Sequence, residues 1–333
     1  MKKTLKLFSF LISVCFILTA LSGCSGRKKG DPPVWTKDKR IVMTLGDYNV
    51  KYDFYRYLFL NSKSYYDNGD ESYWQKDGNN VEKVKEYVLG SLKKTYAMFT
   101  LADKYEITLS DLDKEDVKSY IEASKEGYSD EAYLQSLEDS YMTEDLYRFA
   151  LEIQQLEYLV YQHVIDESNG VLKVDDSAVS KSVKEDFVRA SHILFTYKNE
   201  AESKTALDEA NKILERLKNG EDFETLKEAY SDDTDLKGNK DGYYFTKGEF
   251  GNEFEYTAFE LKENEISEIV KTEIGYHIIK RLPIEEEYVN SHFEELRTQY
   301  KTALYYEMVD ETADTLSYSY KDDYKDIQLD SFK

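Results

Sequence analysis

The strongest constraint on the fold comes from two strand-like apolar runs, VRASHILFT at residues 188–196 and GYHIIKRL at 275–282, each broken by one histidine. Period-2 alternation puts His192 on the face of Ala190 and Leu194, and His277 on the face of Ile279. An imidazole buried among such residues costs free energy unless its ring nitrogens find partners. A core histidine satisfied by backbone is the bland explanation for either one alone. Two of the chain's four histidines in matching settings point instead to neighbouring strands of one small sheet, with the rings side by side.

The remaining pattern fits around that sheet. RIVMTLGDYNVKYDFYRYLF reads as two short strands joined at Gly46 and Asp47, then a helix from about Tyr52. Val81, Val84, Val88 and Leu92 fall at helical spacing, and Ser110 with Asp113 forms a capping box before KEDVKSYI. From Thr143 a long amphipathic helix places Leu146, Phe149, Ile153, Leu156, Leu159 and Val160 on one side. A shorter helical segment, DDSAVSKSVKEDF, leads into VRASHILFT. Two helices follow, the first stopped at Asn219 and Gly220. Then come a polar loop, the strand YYF, a helix over 252–261, a strand near EISEIV and the final strand GYHIIKRL. Beyond Pro283 a helix is expected over about 286–316, followed by a polar, tyrosine-rich tail. The fold class is therefore α+β: a mainly helical domain from the N-terminal region and C-terminal helix, with an inserted βααβαββ domain.

The N-terminus speaks to location. MKKTLK is followed by an apolar run, Leu7 to Ala20, that is too short for a comfortable membrane span and reads as a secretory signal. Next comes Leu21-Ser22-Gly23-Cys24, which resembles the lipobox of bacterial lipoproteins and implies cleavage before Cys24 and acylation of that residue. Cys15 would leave with the signal, so Cys24 is the only mature thiol and no disulfide is expected. Each buried acyl methylene contributes ~0.8 kcal/mol, enough for two or three chains to hold the protein on a bilayer. The expected place is the outer face of the cell membrane, tethered by SGRKKGDPP. Losing Lys2, Lys3 and Lys6 moves the formal charge from −22 to −25, three positive charges fewer. Such a surface repels phosphate backbones, so nucleic acid is an unsuitable partner.

With these segments in hand, VRASHIL, NGEDFETLKEAYSDD, FTKGEF, EYTAFELKENEISEIV and GYHIIKR, in that order and spacing, resemble the parvulin peptidyl-prolyl isomerases. VMTLGDYNVKYDFYRYLF and the helices after it resemble the chaperone region of PrsA- and SurA-type foldases, in which the C-terminal helix returns to complete the N-terminal domain. The resemblance implies a signal peptide at 1–23, a lipidated tether at 24–35, a chaperone domain at 36–185, an isomerase domain at 186–284 and a returning helix and tail at 285–333. It also implies a site: His192, His277, Asp233 and Thr272 as catalytic residues, with Phe250, Phe254 and Tyr243 receiving the proline ring. An i, i+4 aromatic pair such as Phe250 and Phe254 is more often simply core. Asp232 has the alternative of capping a turn. Implied partners are unfolded or partly folded secreted polypeptides with X-Pro bonds, and the membrane through the N-terminal lipid; a homodimer stays open. No cofactor and no metal are implied.

Two positions depart from the parvulin pattern. Gly242 stands where a pocket leucine is expected, leaving that wall absent or supplied by Tyr243, and Ile274 stands where some relatives carry serine. These keep a competing reading alive, a peptide-binding holdase with weak or no isomerase activity. A transporter-feeding lipoprotein should show two α/β lobes, which this pattern lacks. The acidic stretch from Asp233 fails as a calcium loop, with Lys237 and Tyr244 at positions that need oxygen ligands. No HExxH, GxSxG or Walker pattern occurs.

Overall fold

The computed structural model describes residues 30–67, 71–75, 80–197 and 200–332. The expected signal and Cys24 lie outside the described residues. The chain divides into two compact units, one running to His163 and including Met308–Lys333, the other Val164–Glu307. It is mostly helical with small sheets, as the α+β reading requires.

In the first unit, β1 (Ile41–Leu45) and β2 (Tyr48–Lys51) form an antiparallel hairpin. Gly46 turns it at φ +54°, a backbone state that glycine adopts without strain. The helices are α1 (Tyr52–Asp67), α2 (Asn80–Lys104), α3 (Asp111–Ser124), α4 (Asp130–Asp139) and α5 (Glu144–Ile165). Val84, Val88 and Leu92 bury one side of α2, and Leu146, Phe149, Leu156 and Val160 one side of α5. The capping box is present: Ser110 Oγ accepts from the Asp113 N–H, and Asp113 accepts from the Ser110 N–H at 2.7 Å. The tail contains a strand that the sequence pattern hides. β7 (Tyr318–Tyr320) pairs with β1, giving the order β2-β1-β7. Phe332, at 1 % exposure, packs its ring on Tyr52, Tyr55 and Phe59.

The second unit contains α6 (Asp176–Glu185), β3 (Val188–Thr196), α7 (Glu200–Lys218), α8 (Phe223–Tyr230), β4 (Tyr243–Phe245), α9 (Asn252–Glu260), β5 (Val270–Lys271), β6 (Gly275–Leu282) and α10 (Glu286–Ser291). The helix α11 (Phe293–Thr315) begins in this unit and ends in the first. All sheet pairings are antiparallel, in the order β4-β3-β6-β5. Alternation assigns the faces. Ile193, Phe195, Tyr276 and Ile278 pack with α7 and α8, whereas Val188, Ala190 and Ile279 pack with Phe254 and Ala258 of α9.

Two expected elements are cut short. The strand near EISEIV is reduced to Val270–Lys271 and an isolated bridge at Ile266. There the Ile279 N–H donates to Ser267 Oγ instead of a backbone carbonyl, which interrupts regular pairing. The helix over 286–316 is interrupted at His292, the turn residue between α10 and α11, whose N–H still donates to the Tyr288 carbonyl.

Candidate active site

In the β3–β6 ladder His192 stands opposite Ile279 and His277 opposite Leu194, so the imidazoles are diagonal neighbours on one face. Their Nδ1 atoms lie 2.8 Å apart, with ring centroids at 5.0 Å and planes 16° from parallel. Both rings are buried, at 4 % and 2 % exposure. Each outer nitrogen also has a partner: His192 Nε2 meets Asp233 Oδ2 at 2.6 Å, and His277 Nε2 meets Thr272 Oγ1 at 2.8 Å.

Asp233 is held on a loop that starts where α8 ends. Ser231 Oγ accepts from the N–H groups of Leu194 and Asp233, and Asp232 accepts from both the N–H and the hydroxyl of Thr196 at 2.8 Å. Asp232 thus fastens the loop to the end of β3. The Asp233 carboxylate takes four donors: His192 Nε2 and Tyr243 Oη (3.0 Å) on Oδ2, and the N–H groups of Asp235 (2.9 Å) and Leu236 (3.3 Å) on Oδ1. Hydrogen bonding from His192 is the main cause that brings its pKa down to about 2, against the opposing effect of burial. Burial lowers His277 to about 3, with His192 adding to the fall and Asp233 resisting it.

An ionised carboxylate only accepts, and that orders the network. His192 Nε2–H donates to the Asp233 carboxylate, and of the two facing Nδ1 atoms one donates and the other accepts, so the series runs unbroken from Asp233 to Thr272.

An aromatic notch flanks this chain. Phe254 presents its ring edge-on to His192 (5.2 Å, 82°) and His277 (5.4 Å, 72°), and Phe250 stacks on Phe254 at 5.1 Å. Glu255 accepts from the N–H groups of Gly248 and Phe250, shaping the turn that sets Phe250 beside Phe254. Tyr243 stands 5.5 Å from Phe250 and 6.0 Å from His192. Gly242 has φ +70°, and a Cβ there would come within 2.6 Å of the Ala190 carbonyl oxygen. No leucine side chain fits at that position, and the Tyr243 ring stands beside the notch instead. Ile274 is 59 % exposed on the turn between Thr272 and Gly275, its N–H directed at Thr272 Oγ1.

The structure therefore brings His192, His277, Asp233, Thr272 and Tyr243 into one network, with Phe250 and Phe254 against it. Sequence reasoning missed Lys227, which is fully buried and reaches Glu224, the Asn239 carbonyl and Ser191 Oγ. Its only signal was a lysine next to Leu226 on the buried side of a short helix. Among the described residues no group of three or more His, Cys, Asp or Glu could hold a metal ion.

Residues 192–282 match the family model of the PPIC-type PPIase domain, a rotamase. Among curated proteins, the foldase protein PrsA of Caldanaerobacter subterraneus subsp. tengcongensis is 31 % identical over 293 residues, covering 84 % of this chain and 82 % of the relative. That of Staphylococcus epidermidis is 32 % identical over 241 residues, covering 69 % and 67 %. The crystal structure of the peptidylprolyl isomerase PrsA from Bacillus anthracis is similar at 25 % identity, covering 67 % of this chain and 96 % of that one, with a TM-score of 0.31.

Proposed function

The chain belongs to the PrsA foldase family and is a parvulin-type peptidyl-prolyl cis-trans isomerase, and from that premise we propose how its residues carry the reaction and where the protein works. The X-Pro bond is held planar by amide resonance, with a barrier of ~18–20 kcal/mol. Catalysis without covalent chemistry must bind the twisted imide more tightly than either planar form. Resonance in the planar form places negative charge on the carbonyl oxygen. The Asp233 carboxylate, next to that oxygen, disfavours the planar form and leaves the twisted one comparatively stabilised. Phe250, Phe254 and Tyr243 seat the proline ring. His192 and His277 transfer no proton; through their bond to each other and to Thr272 they fix where Asp233 lies.

The observation that carries this reading is the continuous hydrogen-bonded series from Thr272 through both histidines to Asp233, set against the aromatic notch. The test is cis-trans exchange of an X-Pro peptide followed by NMR. Replacing both His192 and His277 with alanine should slow catalysed exchange by at least ~100-fold, the scale of a misplaced catalytic group. A double variant that folds and retains the wild-type rate removes the pair from the mechanism.

The helical unit is read as a cradle for unfolded clients delivered across the membrane, with residues 186–284 acting on their X-Pro bonds. Cys24 carries the lipid that holds the protein at the outer face of the membrane. Among the described residues no helix is long and apolar enough to cross a bilayer. Cys24→Ala should shift the protein from the membrane fraction to the medium; retention in the membrane fraction would exclude the lipid as the anchor.

A further inference from the structure

Tyr243 departs from a plain hydrophobic wall. Its ring lines the notch beside Phe250 and His192, while its hydroxyl reaches Asp233 Oδ2 at 3.0 Å. That oxygen already has a shorter bond from His192 Nε2, and the other carboxylate oxygen has two backbone donors. If the phenol turned away, Asp233 would keep three of its four donors. The hydroxyl thus rests on an acceptor that can release it at small cost. Burial and the adjacent Asp233 charge both push the phenol pKa upward, so it keeps its proton.

The twisted imide creates a new acceptor. In the planar bond the proline nitrogen's lone pair is delocalised into the carbonyl and accepts hydrogen bonds poorly. On twisting, the pair localises on nitrogen. A donor beside a seated proline ring therefore gains a partner in the transition state that is absent from both ground states, which is the difference that accelerates a reaction.

We propose that Tyr243 is a catalytic residue in its own right, its hydroxyl leaving Asp233 to donate to the prolyl nitrogen as the bond twists. This rests on the isomerase site described above and adds a direct substrate contact to it. No bond is broken and no proton is transferred; the phenol exchanges one acceptor for another and returns.

The experiment is a double-mutant cycle on the full chain, with catalysed exchange and peptide affinity measured by NMR for wild type, Tyr243→Phe, Asp233→Ala and the double variant. Tyr243→Phe keeps the ring and its packing, and matching thermal unfolding confirms an intact fold. The expected loss is roughly ten-fold in rate, the effect of one neutral hydrogen bond made only in the transition state, with peptide Kd unchanged. The same loss should recur in the Asp233→Ala background. An unchanged rate, equal losses in rate and affinity, or a loss that vanishes once Asp233 is gone would each overturn the proposal. In that last case Tyr243 acts only through Asp233. Absence of catalysis in the wild type itself would instead strike the underlying reading of the site.

Discussion

In the three-stranded sheet β1 buries Val42, Met43 and Leu45, whereas in the four-stranded sheet β3 buries Arg189, Ser191 and His192 among Val188, Ala190 and Ile193. The buried polar groups of β3 are not scattered. Arg189 reaches the carbonyls of Asp241 and Lys240, Ser191 meets Lys227, which holds the Asn239 carbonyl, and His192 meets Asp233. Leu194 and Thr196 add bonds to Ser231 and Asp232. Along nearly its whole length the strand fastens the loop that carries Asp233. Each such group would cost ~1–3 kcal/mol if left unpaired. Their concentration in one strand separates a sheet that only supports a core from one that also positions charge.

That contrast can be broken most forcefully in the first unit. Phe332→Ala should cost ~3–5 kcal/mol of that unit's stability by leaving a cavity against Tyr55 and Phe59, measured by denaturant unfolding. The isomerisation rate per folded molecule should not change. A matching fall in rate would mean that the two regions are not separable.

Acid sharpens the comparison from the other side. His277 has its pKa lowered from 6.5 to about 3, so between those values the unfolded chain binds a proton that the folded one does not. Stability from this group is complete above pH 6.5 and declines as pH falls toward 3. Asp233, lowered from 3.8 to about 2, likewise contributes above 3.8 and is lost as pH falls toward 2. The second unit should therefore lose stability progressively as pH falls from 6.5 toward 2, seen as a falling denaturant midpoint. His277→Gln should flatten the part between pH 6.5 and 3.

The smallest effect belongs to Ser110→Ala, which removes the capping box of α3 at a cost of ~1 kcal/mol. Thermal unfolding would register it and the exchange assay would not.

What the sequence disclosed follows from which signals are local. Period-2 and period-3.6 patterns gave the order of strands and helices around β3, and the two histidines stood out because polar residues in buried strands are rare. The capping box was legible because its partners are three residues apart. β7 was not, because Tyr318–Tyr320 has no buried face to mark it and its strand character comes from pairing with β1, far away in the sequence. Gly242 looked like a lost pocket wall until its closeness to the Ala190 carbonyl showed that no side chain fits there. The Tyr243 hydroxyl could be placed on Asp233 only once the loop from Ser231 was folded back along β3.

The pairing of β7 with β1 also sets an order in time. A polypeptide released from its amino end onward presents β1 long before residues 318–320 exist outside the machinery that delivers them. Until then β1 has an open edge, and everything from β3 to β6 can assemble without it. Residues 318–320 are therefore the latch of the first sheet, and losing that strand would unseal an edge whose other half lies hundreds of positions away in the chain.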